Sequence, residues 1–133
     1  MGSHPAKIGK YSVEGVLGRG GMGVVFKAVD SQIGRYVAIK MITGGGDETL
    51  IERFKSEAKM MGALQFPNIV TVYDYGEQDG NPYLVMQYLE GQSLEAMLRK
   101  GISLTLSESL GIVIDVCHGL DYAHQRGVIH RDI

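Results

Sequence analysis

Short apolar runs in this chain predict β-strands, because they are rich in β-branched and aromatic residues that favour extended backbone. In residues 37–42, successive side chains point to opposite faces, so Ala38, Lys40 and Ile42 share one face of the predicted strand. The predicted strands are residues 11–17, 24–29, 37–42, 69–75 and 82–89.

Apolar residues that recur every three or four positions predict helices elsewhere in the chain. The first helix runs from residue 48 to about residue 64, behind Asp47 as its N-cap. A short helix covers residues 94–100. A longer one follows Thr105, which forms a capping box with Glu108, and continues to about residue 125. This last helix is apolar around most of its girth, which predicts a place in the middle of a domain.

Composition narrows the class of protein. The 133 residues predict one domain, and a net charge of -2 gives no sign of a nucleic-acid-binding or membrane-surface protein. A single cysteine, Cys117, excludes an internal disulfide and fits a reducing compartment, so we expect a cytoplasmic location. No segment approaches the roughly 18 consecutive apolar residues that span a bilayer.

A glycine-rich turn, Gly18-x-Gly20-x-x-Gly23, lies between the first two predicted strands. In a dinucleotide-binding fold the third glycine opens a helix, but here a strand follows it. A Walker phosphate loop is excluded because no Gly-Lys-Ser/Thr follows. The turn therefore joins two antiparallel strands and can fold over a ligand as a flap.

Lys40 stands inside an otherwise apolar strand. A lysine buried there needs an anion, because desolvating an unpaired charge is costly. The alternative is an edge lysine whose flexible side chain reaches water. The small side chain of Ala38 on the same face leaves room for a flat ligand ring. A glycine flap followed by a lysine is a combination that can hold a polyphosphate.

Glu57 is the candidate partner of Lys40. It lies three residues after Phe54 and four before Met61, so it falls on the apolar stripe of the first helix. Glu52 is a second candidate, although it falls off the stripe. The alternative is that Glu57 sits at the edge of the stripe in water.

Three motifs together resemble protein kinases: Gly-x-Gly-x-x-Gly-x-Val at residues 18–25, Val-Ala-Ile-Lys at 37–40 and His-Arg-Asp at 130–132. The chain resembles the N-terminal half of a bacterial, eukaryotic-like (Hanks-type) Ser/Thr protein kinase domain. This resemblance implies an α+β fold in which a small lobe, a five-stranded antiparallel sheet plus one helix, occupies residues 11–89. Residues 90–133 would then hold the hinge exit and the first two helices of the large lobe, and residues 1–10 a vector remnant and lead-in.

The resemblance also implies an ATP site and a reaction, transfer of the γ-phosphate to protein hydroxyls. Lys40 would hold the α- and β-phosphates with Glu57 behind it, and Asp132 would accept the proton of the substrate hydroxyl. Residues 85–91 resemble the kinase hinge segment, where Met86 would be the gatekeeper or else an ordinary core gap-filler. The expected nucleotide-contacting residues are Leu17, Gly18, Gly20, Gly21, Gly23, Val25, Ala38, Lys40, Met86, Gln87 and Leu89.

Ser93 and Phe66 each have an interpretation that is structural rather than functional. Ser93 could reach a ribose hydroxyl, but a cap for the following helix is the favoured interpretation. Phe66 stands where kinases usually have histidine, and we expect consequences for packing alone.

Magnesium ligands of the family are not found in this sequence: the Asn five residues after the catalytic Asp, and the Asp-Phe-Gly motif. We therefore expect Mg²⁺ only in a full-length kinase, no metal site in this chain, and little or no activity. The expected partners are ATP and an unidentified protein substrate.

The alternative function is a non-catalytic module of the kinase fold. Its large-lobe helix would lack neighbours, and the exposed apolar surface would drive formation of a homodimer or larger assembly. The protein substrate, and any membrane anchor of the kind that bacterial relatives often carry, are not readable from these residues.

Overall fold

The computed structural model describes residues 4–21, 23–44 and 47–130. The chain divides into two compact units, residues 1–65 with 70–88 and residues 66–69 with 89–133. In the described part of the chain, the first unit holds a six-stranded antiparallel sheet and one helix, and the second holds two helices. The predicted α+β class is confirmed.

The sheet has the strand order β1-β2-β3-β4-β6-β5, and every neighbouring pair is antiparallel. The elements are β1 (Lys7–Ile8), β2 (Tyr11–Gly20), β3 (Gly23–Asp30), β4 (Arg35–Ile42), α1 (Glu48–Gly62), β5 (Val72–Gln78), β6 (Asn81–Gln87), α2 (Leu94–Arg99) and α3 (Leu106–Gln125).

Strand β1 is the element that the sequence did not predict. It is two residues long and pairs with β2 through Lys7↔Ser12 and Ile8↔Tyr11. The side chain of Gln78 fixes it from a distant part of the chain: Gly9 N donates to Gln78 Oε1 at 2.9 Å, and Gln78 Nε2 donates to the Lys7 carbonyl at 2.9 Å. The sheet therefore has six strands rather than the predicted five.

One face of the sheet carries the main core of the first unit. Side chains of β3 alternate strictly between buried and half-buried, as the period-two pattern predicts. The buried cluster comprises Ile8, Tyr11, Val24, Phe26, Ala28, Val37, Ile39, Met41, Tyr83 and Val85.

Helix α1 begins at the predicted cap. The Asp47 side chain accepts a hydrogen bond from Thr49 N at 3.2 Å. The helix packs on the other face of the sheet, chiefly against β5, where the rings of Phe54 and Tyr75 lie 6.0 Å apart. Burial is the main cause that raises the pKa of Tyr75, and the carboxylates of Glu77 and Glu52 raise it further.

The second unit begins its helices as predicted. Ser93 Oγ caps α2 by accepting from Ala96 N at 3.1 Å, and Thr105 and Glu108 form the capping box of α3. Phe66 has the expected packing role, because its ring stacks on Tyr122 at 4.6 Å.

Helix α3 is not covered in the way its apolar girth predicts. Of its described residues, Gly119 and Ala123 alone are buried, whereas Leu106 is 77% exposed and Val113 56% exposed. Most of the apolar surface of this helix therefore faces solvent.

Candidate functional site

The register of three strands brings the central predicted residues together. Val25 of β3 lies opposite Lys40 of β4, and Ala38 of β4 lies opposite Met86 of β6. Residues that face each other across an antiparallel pair project from the same side of the sheet, and so do residues two apart in one strand. The four side chains therefore form two adjacent rows on one face.

That face is the side of the sheet away from the main core. Phe26, Ile39 and Val85, from the same three strands, point the other way and are buried in the core cluster. We call the face that carries Val25, Ala38, Lys40 and Met86 the candidate face. On it, Ala38 is 7% exposed and Val25 and Met86 are half-buried. The small side chain of Ala38 lies on β4, between the strands that carry Val25 and Met86.

Lys40 is exposed, so the prediction of a buried ammonium is wrong. The residue stands on the candidate face, and its long side chain reaches solvent from there. Among the described residues the ion pairs are Lys10–Asp30 and Arg99–Glu95, and neither involves Lys40. The ammonium is therefore available to an anion from outside the chain.

Glu57 is exposed as well, which contradicts its predicted place on the buried stripe. The stripe itself is present, because Ala58 is buried and Phe54 and Met61 are half-buried. Helix α1 packs mainly against β5, which β6 separates from β4 in the sheet. In this part of the chain no ion pair joins Glu57 to Lys40, so that pairing stays a prediction.

The glycine-rich turn joins β2 to β3, with Gly20 opposite Gly23. Register shifts between Val13 and Gly15 and between Val16 and Gly18 interrupt the β2–β3 pairing. Such irregularities bend a strand, which suits a flap. Leu17, Gly18, Gly20 and Gly21 are all exposed.

The glycines of this turn have two different structural settings. A Cβ added at Gly23 would overlap the carbonyl oxygen of Met41, so close packing of β3 on β4 excludes any side chain there. A Cβ added at Gly18, Gly20 or Gly21 would meet no described atom within 4 Å. None of these three has the positive φ that requires glycine. Packing within the chain therefore does not explain them.

The predicted hinge segment, residues 85–91, begins within β6 and continues past the end of that strand at Gln87. Gln87 N donates to the Thr71 carbonyl at 2.8 Å, and Thr71 N donates to Gln87 Oε1 at 3.3 Å. This reciprocal pair ties the segment to the residue just before β5. Sequence reasoning missed it, because the two residues are 16 positions apart and no motif or periodicity relates Thr71 to Gln87. Leu89 follows and is 58% exposed.

Asp132 lies outside the described residues, together with Arg131. His130, the first residue of that motif, is exposed. In the described ranges, no group of three or more His, Cys, Asp or Glu side chains could hold a metal ion. No described helix is long and apolar enough to cross a membrane.

The sequence matches the family model described as protein kinase domain over residues 11–133. The chain belongs to the protein kinase domain family. Among curated relatives, a probable serine/threonine-protein kinase of Streptomyces coelicolor, SCO3848, is 39% identical over 131 residues. Serine/threonine-protein kinase PknH of Mycobacterium tuberculosis is 39% identical over 127 residues. Each alignment covers 94% of this chain but 20% of the relative.

Solved kinase domains resemble this chain in both fold and sequence. A crystal structure of the Mycobacterium tuberculosis PknI kinase domain matches with a TM-score of 0.81 and 33% identity, covering 96% of this chain and 53% of that one. A single-substitution mutant of the same PknI domain matches with a TM-score of 0.85 and 32% identity, covering 100% of this chain and 56% of that one. The antiparallel sheet with α1 corresponds to the kinase small lobe, and α2 and α3 to the start of the large lobe.

Proposed function

We propose that this kinase-domain fragment is the ATP-binding portion of a Ser/Thr protein kinase. The observation that carries the proposal is the shared face of β3, β4 and β6, where Val25, Ala38, Lys40 and Met86 stand in two adjacent rows. Adenine would lie against Ala38 between Val25 and Met86. The unpaired ammonium of Lys40, one row along, would meet the α- and β-phosphates.

The other proposed roles follow from position. The exposed turn at Gly18, Gly20 and Gly21 would cover the phosphates, because bare backbone can approach them closely. Glu57 would pair with Lys40 when the phosphates are bound. The N–H of Gln87 donates to the Thr71 carbonyl and is not available to a ligand. The carbonyl of Gln87, together with backbone groups of Leu89, would therefore contact the adenine edge.

The proposed reaction is transfer of the ATP γ-phosphate to a protein hydroxyl, with Asp132 accepting the hydroxyl proton. Magnesium would neutralise phosphate charge in the full-length kinase. The Asn and Asp-Phe-Gly ligands that the family uses for magnesium are not found in this sequence, so we expect little or no transfer by the chain alone. The use of ATP and a reducing environment for Cys117 favour the cytoplasm.

A thermal-shift titration with ATP tests the binding proposal. The unmodified chain should be stabilised by ATP, and Lys40→Ala should weaken the apparent affinity about tenfold or more, as loss of a charge-assisted contact predicts. Lys55→Ala is the matched control, because Lys55 is also exposed but lies on α1. The proposal fails if ATP gives no shift, or if both variants bind ATP as the unmodified chain does.

The exposed apolar surface of α3 favours a second candidate function, a self-associating module of the kinase fold. Its exposed side chains are Leu106, Leu110, Val113, Ile114 and Val116. A group of large exposed apolar residues on one helix is typical of an interaction surface. The natural partner of such a surface is a second copy of the chain.

A further inference from the structure

A cation held between two tyrosines lies beside the candidate face. Lys27 Nζ is 4.5 Å from the ring centroid of Tyr36 and 4.9 Å from that of Tyr88. The two rings are 6.1 Å apart and tilted by 52°. Both cation–ring distances are within the roughly 6 Å at which a lysine is attracted to an aromatic face. We call Lys27, Tyr36 and Tyr88 the tyrosine clamp.

The strand register places the clamp next to the proposed adenine area. Lys27 lies opposite Ala38, and Ala38 lies opposite Met86, so these three residues form one row across the sheet. Tyr36 is two residues before Ala38 and shares its face. Lys27 therefore stands at the end of the row that would receive the adenine ring, and Tyr36 lies next to that row.

The clamp holds a residue of the hinge segment. Tyr88 lies between Gln87 and Leu89, the two residues proposed to meet the adenine edge. Gln87 is already tied to Thr71 by two hydrogen bonds. The clamp adds a second attachment one residue later, through a side chain rather than through the backbone.

The ammonium of Lys27 contacts the two tyrosine rings and forms no ion pair with a described carboxylate. In the described ranges, no carboxylate lies within ion-pair distance of Lys27, and the side chain is half-buried. A half-buried ammonium gains more from aromatic faces than an exposed one. Removing the charge would leave two tilted rings with no shared partner.

We propose that Lys27 and Tyr36 are positioning residues that fix the hinge backbone through Tyr88 before nucleotide arrives. The inference rests on the proposed function, because the hinge segment is the proposed adenine contact. A hinge that is ordered in advance loses less conformational entropy on binding, so the clamp raises affinity for the adenine part of the ligand.

Binding measurements with three ligands test the clamp. Lys27→Met removes the cation and keeps the chain length, whereas Lys27→Arg keeps a cation that can lie over both rings. We expect Lys27→Met to weaken ATP and adenosine equally, about three- to tenfold, and to leave tripolyphosphate binding unchanged. Lys27→Arg should stay within about twofold of the unmodified chain, and Lys55→Met, on α1, is the matched control.

Three results would overturn the inference. Loss of ATP affinity with no loss of adenosine affinity would make Lys27 a phosphate ligand instead. Equal losses for all three ligands, with a lowered unfolding temperature, would make it a general stabilising residue. Unchanged affinities in Lys27→Met would show that the clamp does no positioning.

Hydrogen exchange without nucleotide separates failure of the clamp from failure of the proposed function. Lys27→Met and Tyr36→Leu should speed exchange of the backbone amides of Tyr88 and Leu89, whereas Tyr36→Phe should not. If the unmodified chain binds neither ATP nor adenosine, the proposed function fails and this inference fails with it, even where the exchange data show an ordered segment. If it binds both and exchange is unchanged in the variants, the clamp alone is wrong.

Discussion

At the scale of single residues, one sequence motif serves two physical purposes. Gly23 is needed for the fold, because its backbone lies against the Met41 carbonyl and leaves no space for a Cβ. Gly18, Gly20 and Gly21 have open space around them and no positive φ. No contact within the described chain explains why these three positions lack side chains. We therefore propose that a bound ligand requires glycine there.

Gly20→Ala and Gly23→Ala should therefore have opposite signatures. Gly23→Ala forces β3 and β4 apart and should lower the free energy of unfolding by about 1–3 kcal/mol. Gly20→Ala should leave stability unchanged or raise it by up to about 1 kcal/mol, because alanine restricts the unfolded chain. It should nevertheless weaken ATP binding by narrowing the space under the flap.

Thermal unfolding with and without ATP measures both effects on the same samples. Each variant serves as the control for the other, since the substitution is identical and the positions are three residues apart. Equal destabilisation by the two substitutions would contradict the structural distinction. Unchanged ATP affinity in Gly20→Ala would contradict the role of the flap.

At the scale of elements, the short strand β1 shows how a side chain can make a strand. Two residues in extended conformation would not stay paired by their own hydrogen bonds. Gln78 supplies the rest, since its amide accepts from Gly9 N and donates to the Lys7 carbonyl. Ile8, held in this way, is completely buried in the core cluster.

Gln78→Ala should release β1 from the sheet. Loss of two hydrogen bonds should lower the free energy of unfolding by about 1–3 kcal/mol, and amides of residues 8–13 should exchange faster. Gln78→Glu is the matched variant, because it keeps the acceptor for Gly9 N and loses the donor to the Lys7 carbonyl. It should lower the free energy of unfolding about half as much as Gln78→Ala does. If Gln78→Ala and Gln78→Glu both behave as the unmodified chain, Gln78 does not hold β1 in the sheet.

At the scale of the whole molecule, the two units differ in how much of their apolar surface they bury. The first unit has a core cluster of ten buried side chains. In the second, α3 exposes large aliphatic residues along its length, among them Leu110 at 52% and Val113 at 56%. The chain also spans about a fifth of the curated relatives that it matches.

Light scattering over a concentration series should show self-association of the chain. Leu110→Gln combined with Val113→Gln should raise the dissociation constant of the assembly about tenfold or more, because two apolar contacts are lost in each copy. His118→Gln is the control, since it changes an exposed polar residue of the same helix. A single monomeric species at several hundred micromolar would contradict the second candidate function.

Local patterns predicted much of this fold. The three caps at Asp47, Ser93 and Thr105 stand where the sequence puts them, because a cap depends on atoms within three residues. The alternation in β3 was also readable, since period two is a property of the strand itself. The kinase motifs indicated the family, which the match over residues 11–133 confirms.

Contacts between distant residues were not readable. The sequence predicted burial for Lys40 and Glu57 from their neighbours in one element, yet both are exposed. Burial of a helix position depends on which strand the helix covers, and α1 lies over β5 rather than over β4. The tyrosine clamp likewise joins residues 27, 36 and 88, which no single periodicity relates.

The sequence by itself determined the longer strands β2 to β6, the helices with their caps, and the motifs of the family, because these depend on short-range stereochemistry. Tertiary structure alone decided the rest. The register of β3, β4 and β6 set which side chains share a face, and strand order set which ones α1 can reach. Such choices follow from packing between segments far apart in the chain, where local preferences carry no information.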